Sequence, residues 1–530
     1  MLGYMKVQTP ASTHGVPDAF LNKFGRDVTA VLSGFDRLRF RATLRLLFVP
    51  AKMEAYLSAC RVLIKNFNTF ALATTAKVKA AAYTAIEAAG RPALYLSSPE
   101  ISKEDKARQI ARADHITEGR IALFSATEPC LSYSVRGDPR TKHIHLVLER
   151  RKCTHLYHYF MHPDFGQISV RVQTWFPFTV DVCLNGREWL ARQMDRAGLT
   201  YEQRDNCFVR VSDPVRAQAL LDEQLRTDWV RVLQPLLEQA HPLHAELGRP
   251  LGQTYYWTAS QTEYATDLIF PNPARLAALY PQFVHHGIKT FGSRDVLRFL
   301  GHGVPSRFCG ELSSNLKHRP EGLCLRHRAN GNSIKVYDKQ GSILRIETTI
   351  VHPEHFKVYR PAQGDPEKLQ WQRLRKSVAD LWRRAEVSRG ANGRYLGALA
   401  SVSDKTPLSQ ETTGLCRAVT VNGQRHRALN PWSEADGALL AVVSRGEYAL
   451  AGFRNRDLRG HLHPGQHNAP EQRRQAARVT RQLALLRAHG LIKKVSATHR
   501  WLLTERGRRM ITALLAARQA DVNQLTQLAA

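Results

Sequence analysis

The triplet His143-Ile144-His145 is the first place in this chain where residue types and spacing could do chemistry. Alternate residues of a strand face one side, so both imidazoles would point together and could hold a divalent metal that polarises a phosphate. Glu149 lies close by in sequence. The chain has 22 histidines and a second such triplet, His461-Leu462-His463, so ordinary surface histidines are the alternative. A second constellation is Asn332-Ser333-Ile334-Lys335-Val336-Tyr337-Asp338-Lys339, followed by Leu344-Arg345-Ile346-Glu347-Thr348-Thr349. Alternation sets Lys335 with Tyr337 on one face of a strand, and Arg345 with Glu347 on one face of the next. Such a surface can stack a base, hold a phosphate or orient a scissile bond. A third is the row Arg37, Arg39, Arg41 and Arg45, interleaved with Leu38, Phe40, Ala42, Leu44 and Leu46. Guanidinium groups about 7 Å apart on one strand face approach the phosphate spacing of a single strand. Few acids lie nearby, which favours phosphate binding over an ion-paired outer face.

Two further groups sit on segments that read as helical. Glu263 and Asp267 would share a helix face and pair on a metal or in salt bridges. His155, His158 and His162 would line one face of an aromatic-rich segment, either stacking unpaired bases or simply packing. No Walker loop, GxSxG elbow or HExxH motif occurs. None of the eight cysteines forms a Cys-x-x-Cys pair, which excludes a zinc ribbon or thioredoxin-like motif and suits reduced thiols in a cytoplasm.

The elements that must position these residues follow from periodicity. Val31–Val49 reads as a strand region and 51–90 as helical, ended by Gly90. Strands are expected at Ala93–Leu96, Ile121–Phe124, Leu131–Val135, His143–Leu148, Ile168–Thr174 and Phe178–Leu184, with helices at Ser102–Ala113 and Arg187–Ala197. The stretch 215–305 reads as mainly helical, interrupted around Tyr255–Pro273. Gly322–Arg328, Ser333–Asp338 and Ile343–Ile350, with turns at Asn330-Gly331 and Gln340-Gly341, predict an antiparallel meander. Residues 361–369 read as a linker before a helix near 370–390, and no internal repeat is visible.

Near the C-terminus, Ser433-Glu434-Ala435-Asp436 opens a helix, a second follows at Arg454–Leu462, and a third spans Pro470–His489. The third sets Val479, Leu483 and Leu486 on one face and Arg474, Arg478 and Arg481 on another. Strands Leu491–Val495 and Arg500–Leu503 and a last helix from Thr504 complete the order of a winged helix. The segments Leu485–Lys494 and Leu503-Thr504-Glu505-Arg506-Gly507 resemble MarR-type winged helices. That resemblance implies a third helix in the major groove, with Arg474, Arg478 and Arg481 contacting DNA and Lys493, Lys494, His499 and Arg500 on phosphates. A protein-docking module is the alternative. The Tyr337-Asp338-Lys339 and Leu344-Arg345-Ile346-Glu347 pair resembles segments of rolling-circle replication initiators of filamentous phages and small plasmids. Those enzymes use a tyrosine nucleophile and a His-hydrophobic-His metal site, which would give His143 and His145 the metal and Tyr337, Tyr157 or Tyr159 the attack. The chain as a whole resembles a broad bacterial group, which adds no chemistry.

The bulk numbers agree with a nucleic-acid partner. The chain has 530 residues and a formal net charge of +30, with 43% hydrophobic residues. Such a field attracts polyanions, and the core content excludes a disordered basic tail. No apolar run approaches the roughly 20 residues that cross a bilayer, and Met1–Lys6 opens no signal peptide, so no membrane partner is expected. The expected fold class is α+β and multidomain: an α+β domain at 1–150 with the basic strand, another at 151–360 with the meander, a helical linker region at 361–429, and the winged helix at 430–530. The expected function is nucleic-acid binding in the life of a mobile element or its replication. The alternatives are a Tyr/His single-strand endonuclease, a structured-RNA binder and a transcription regulator. A divalent metal, Mg or Mn, is called for only if the protein is a nuclease, and a homodimer is left open.

Overall fold

The computed structural model describes residues 15–521, apart from 98–100, 303–311, 320–321, 363–364, 401–407, 422, 449–451, 466–467 and 496–497. Met1–Lys6, Cys309 and the turn at Ser496-Ala497 lie outside the described residues. Eleven strands form one sheet: β1 (Ala30–Thr43), β2 (Ala93–Tyr95), β3 (Gly119–Gly137), β4 (Ile144–His162), β5 (Gly166–Gln173), β6 (Val180–Asn185), β7 (Tyr256–Ile269), β8 (Ser313–Arg319), β9 (Gly322–Ala329), β10 (Asn332–Lys339) and β11 (Ile343–Ile350). Their spatial order is β8-β9-β10-β11-β7-β1-β6-β5-β4-β3-β2. The fold class is α+β, as the alternating strands and intervening helices predict.

The sheet repeats one topology twice. β1 leads through helices to the antiparallel run β3–β6, which returns beside β1. β7 leads through helices to β8–β11, which returns beside β7. At the centre β1 and β7 run antiparallel, with Arg37 opposite Glu263 and Arg39 opposite Gln261, a pairing that exchanges under a two-fold. The same exchange sets the Arg171–Asp181 pair of β5 and β6 in the place of the Lys335–Glu347 pair of β10 and β11. The repeat lies in connectivity, not in residue identity.

Local chemistry explains the strands. In β1, Leu38, Phe40 and Ala42 are fully buried while Arg39 and Arg41 are exposed. The expected β9–β11 meander forms, and Asn330, Gly331, Gln340 and Gly341 all take positive φ, the backbone that matches two-residue turns to strand twist. One sheet face is covered by helices α1 (Phe67–Ala88), Trp229–Ala240, Pro273–Thr290 and Ser293–Leu300, and by a long helix over Leu381–Leu399, which bury two large apolar clusters. The other face is covered only at its margins. Helix α2 (Lys103–Ala113) packs Ala107 and Ala111 on β3 and β4, while α3 (Gly186–Arg196) and α4 (Pro214–Gln224) enclose Leu32, Ile269 and Ile343. A polar strip is left between.

Several expectations change. β4 crosses residue 150, so 1–150 and 151–360 share one sheet instead of forming two bodies. Tyr255–Pro273 holds the central strand β7, and Glu263 and Asp267 stand on a strand, not a helix. The segment with His155, His158 and His162 is also strand, so His155 and His158 face opposite sides. Residues 365–373 form a hairpin with Lys357–Ala362, and the helix expected near 370–390 begins only at Leu381, buried on the sheet. β1 ends at Thr43, and Arg45 opens a 3-10 turn.

The C-terminal unit has the expected element order: α5 (Glu434–Val443), α6 (Asn455–Leu462), α7 (Ala469–Ala488), the hairpin Ile492–Lys494 with Trp501–Leu503, and α8 (Glu505–Gln519). Ser433, Asn468 and Thr504 cap α5, α7 and α8 through their side-chain oxygens. Val479, Leu483 and Leu486 enter its own core. Arg294 ties it to the body through Glu447 at 2.7 Å. Among the described residues no helix is long and apolar enough to cross a membrane.

Candidate active site

The alternation that buries Leu38, Leu184, Val336 and Ile346 on one side sends Arg37, Glu263, Lys335, Tyr337, Arg345 and Glu347 to the other. Between Phe35 and Arg37 the β1–β7 register jumps, leaving Asp36 without a partner in a bulge. An extra residue re-aims a side chain, and here it adds Asp36 to the polar face. Asp36, Glu263 and Glu347, from three adjacent strands, bring carboxylate oxygens within 4.8 Å of one another.

Buried cations balance them. Arg345 grips Asp267 with Nε at 2.6 Å and Nη2 at 2.8 Å, and donates from Nη1 to Asp36 at 2.9 Å. Arg187 reaches Asp267 at 3.0 Å. It can do so because α3 starts against β1: a side chain on Gly186 would meet the Phe35 carbonyl oxygen at 2.0 Å. Lys335 donates to Glu347 and stands 3.8 Å from Glu263. Burial opposes ionisation of Asp36, but Arg345 and Arg187 outweigh it and hold its pKa below the usual value. At Glu347 burial wins, helped by Glu263 and Asp36, and its pKa is raised despite Lys335. Tyr337, 8% exposed, has its hydroxyl pushed up by burial and by the charges of Glu347, Cys324, Glu263 and Asp36.

The predicted residues therefore divide. Lys335, Tyr337 and Arg345 come together, joined by Asp36, Glu263, Asp267 and Arg187. Lys335 and Arg345, expected to touch phosphate directly, are 3% and 1% exposed and held by carboxylates, so they organise the cluster instead of reaching from it. Arg37 is half-buried; burial works against its charge, but Cys183, Glu263, Glu104 and Asp36 hold its pKa above the usual value. Arg41 pairs with Asp181 at 2.6 Å, Arg39 is exposed, and Arg45 lies over the Tyr256 ring at 4.7 Å. The basic face continues where no expectation placed it: Lys317, Arg326 and Arg328 stand in register with Cys324, Lys335 and Ser333 on the same side. Beside Asn185 a cavity of about 500 Å³ opens between α2 and α3, lined by Glu104, Arg108, Gln167 and Glu188.

His143 and His145 are not brought to this cluster. Both are exposed, at the outer end of a ribbon where β4 pairs only with β3, and Glu149 binds Ser134 and Arg136 instead. Among the described residues no third metal-binding side chain joins them. Tyr157 donates to Glu128 at 2.6 Å, and Tyr159 is buried. In the C-terminal unit Arg474, Arg478, Arg481, Lys493 and Lys494 are exposed, while Arg500 is half-buried and donates to the Gly452 carbonyl at 3.3 Å. A basic concavity of about 870 Å³ opens between α6, α7 and the hairpin, where Arg454, Arg456, Arg459 and Arg487 join Lys494 and His499, two of the residues expected on phosphates. At 100° per residue, Arg487 is roughly two-fifths of a turn from the Arg474, Arg478 and Arg481 face of α7.

No protein-family model, curated protein or solved structure matches this chain. Geometry alone must carry a functional reading. Asp36, Arg187 and Glu263 are the residues sequence reasoning missed or misplaced, and the one available signal was the carboxylate pair Glu263 and Asp267.

Proposed function

We propose that this protein binds nucleic acid along the polar sheet face and breaks a phosphodiester bond there, using Mg²⁺ or Mn²⁺ held by Asp36, Glu263 and Glu347. The observation that carries this is the convergence of three carboxylates within 4.8 Å, beside Tyr337, on a face that also presents Arg39, Lys317, Arg326 and Arg328. Hard oxygen ligands from an incomplete shell suit these cations, which keep water and phosphate in the remaining positions. Such a cation supplies Lewis-acid polarisation of a phosphate and lowers the pKa of a neighbouring hydroxyl. The other steps belong to the chain's own residues. Arg345 and Arg187 fix Asp36 and Asp267, and Lys335 positions the Glu347 carboxylate by donating to it. Tyr337 gives its proton to the carboxylate cluster and attacks phosphorus. One ester P–O bond breaks, that oxygen leaves as a hydroxyl after taking up a proton, and the other strand end remains esterified to Tyr337.

The resemblance of Tyr337-Asp338-Lys339 and Leu344-Arg345-Ile346-Glu347 to rolling-circle initiators supports the tyrosine step and a place in the life of a mobile element; the carboxylate site stands where that resemblance would put His143 and His145. The C-terminal unit, taken as a winged helix, supplies the adjoining duplex contact. The test is a denaturant-resistant adduct between the full chain and a labelled single strand in Mn²⁺. It is expected for the native protein and absent from Tyr337→Phe, which should bind the strand as before. If the native protein yields neither adduct nor cut on any single strand tried, the tyrosine reaction is excluded. One observation favours a second reading, a binder without catalysis: Lys335, Arg345 and Arg187 already balance the acids, and Tyr337 is nearly buried.

A further inference from the structure

A second cluster lies on the same sheet face, three strands from β1, where the β3–β4 ribbon leaves the sheet. Cys130 and Cys153 stand diagonally across the β3–β4 ladder, with Sγ atoms 2.8 Å apart. A nitrogen of His155, two residues along β4, lies within 4.8 Å of both sulfurs. His155 is 1% exposed. Its Nδ1 faces the Cys153 carbonyl oxygen at 3.2 Å, and that contact requires the ring hydrogen on Nδ1. Nε2 then carries a lone pair; it is buried and makes no hydrogen bond of good geometry, while the ring lies within reach of the Cys130 thiol. A buried acceptor left unpaired costs on the order of 1–3 kcal/mol, so this one calls for an explanation.

We propose that Cys130, Cys153 and His155 bind a thiophilic divalent cation, with zinc the natural occupant. Two thiolates and one neutral imidazole are the donor types zinc selects. A disulfide between the cysteines would use both sulfurs and leave the histidine nitrogen orphaned, whereas a cation satisfies all three. The neighbouring carboxylate is already committed: Glu128 receives Tyr157, Arg171 at 3.2 Å and Lys103 at 3.5 Å. The protein therefore offers three ligands, and water takes the fourth position on the half-exposed cysteine side. At Zn–S distances of about 2.3 Å, tetrahedral thiolates sit roughly 3.8 Å apart, so the two sulfurs open by about 1 Å on binding. The bound ion pins the root of a ribbon whose outer part presents Arg136, Arg140, Lys142, Arg150 and Arg151 to solvent.

This site is independent of the carboxylate cluster, and a cobalt probe distinguishes the two. Full-length protein, reduced and stripped with a chelator, is titrated with Co²⁺ and then with Zn²⁺. The expected result is one equivalent of cobalt with thiolate-to-cobalt charge-transfer absorption in the near ultraviolet, bleached by one equivalent of zinc. An oxygen-only site gives no such band. Cys130→Ser and Cys153→Ser should each weaken zinc binding by tenfold or more, with an unchanged circular dichroism spectrum. The proposal is overturned if the reduced native protein gives no charge-transfer band, if both serine variants keep native affinity, or if peptide mapping finds Cys130 and Cys153 joined and zinc unbound after reduction.

Discussion

Lys335→Ala removes the ammonium group that donates to Glu347, and its cost can be worked from the structure. Both side chains are about 3–4% exposed, and Glu263 and Asp36 face the carboxylate left behind. Breaking a buried ion pair by removing one partner costs about 3–5 kcal/mol. The protein has a cheaper escape, because Glu347 can take up a proton. Raising that carboxyl from its ordinary 4.5 to neutrality at pH 7 costs about 3.4 kcal/mol, at about 1.36 kcal/mol per pH unit. The sign follows from linkage. With its folded pKa raised above the unfolded one, Glu347 binds more protons when folded, so the penalty grows with pH above 4.5. Native Glu347 already carries part of this penalty, so denaturant titrations should show the variant losing at most about 2 kcal/mol at pH 6 and at most about 3.4 kcal/mol at pH 7 against the native protein, with the gap widening as pH rises. A cation on the carboxylates replaces the missing charge. Manganese at a hundred times its dissociation constant should restore about 2.7 kcal/mol in the variant and stabilise the native protein less. Equal stability of variant and native protein at pH 7, or a variant that manganese leaves unmoved, would refute the reasoning.

Five buried histidines, His158, His241, His286, His302 and His327, have pKa values lowered by burial, to about 3 for the first two and about 4 for the others. The unfolded chain protonates them below about 6.5, so stability falls with acid by up to about 7 kcal/mol per pH unit near pH 5. Tryptophan fluorescence should show a steep acid transition there, and a flat profile from pH 6.5 to 4.5 counts against it. Single-strand affinity should fall with salt at a logarithmic slope of about −3, the value for four phosphates met by Arg39, Lys317, Arg326 and Arg328. A slope near zero in fluorescence anisotropy removes the polar face as the binding surface. Replacing Arg474, Arg478 and Arg481 together by Glu should weaken duplex binding by at least about tenfold while sparing single strands. If duplex affinity holds but falls on changing Arg456 and Arg487, the concave groove is the contact surface instead.

The sequence carried the Lys335, Tyr337, Arg345 and Glu347 grouping because strict alternation between two short turns leaves little freedom of register. Glu263 and Asp267 share a face, as expected, but on a strand and with different partners. A spacing of four is even, so it shares a face on a strand, and it is also one helical turn. β7 was hard to read because its polar face is buried by ion pairs rather than by apolar side chains, which erases the hydrophobic alternation. Asp36 was hidden by the bulge, since the phase of Leu38, Phe40 and Ala42 run backward assigns it to the apolar side. Arg187 gave no signal, because nothing in a helix start tells that an arginine will be driven inward. His143 and His145 do follow strand alternation, but alternation says nothing about where a ribbon ends, and theirs ends in solvent.

The proposed chemistry is tested most directly by cutting an end-labelled single strand with the full chain, with and without Mn²⁺, comparing native protein with Glu263→Gln. This substitution keeps size and hydrogen bonding but withdraws one charged cation ligand. The expected result is cleavage only with the cation, slowed in the variant by about 100-fold or more, with strand binding unchanged. Cleavage that needs no cation, or that proceeds equally in Glu263→Gln, would contradict a catalytic centre at Asp36, Glu263 and Glu347.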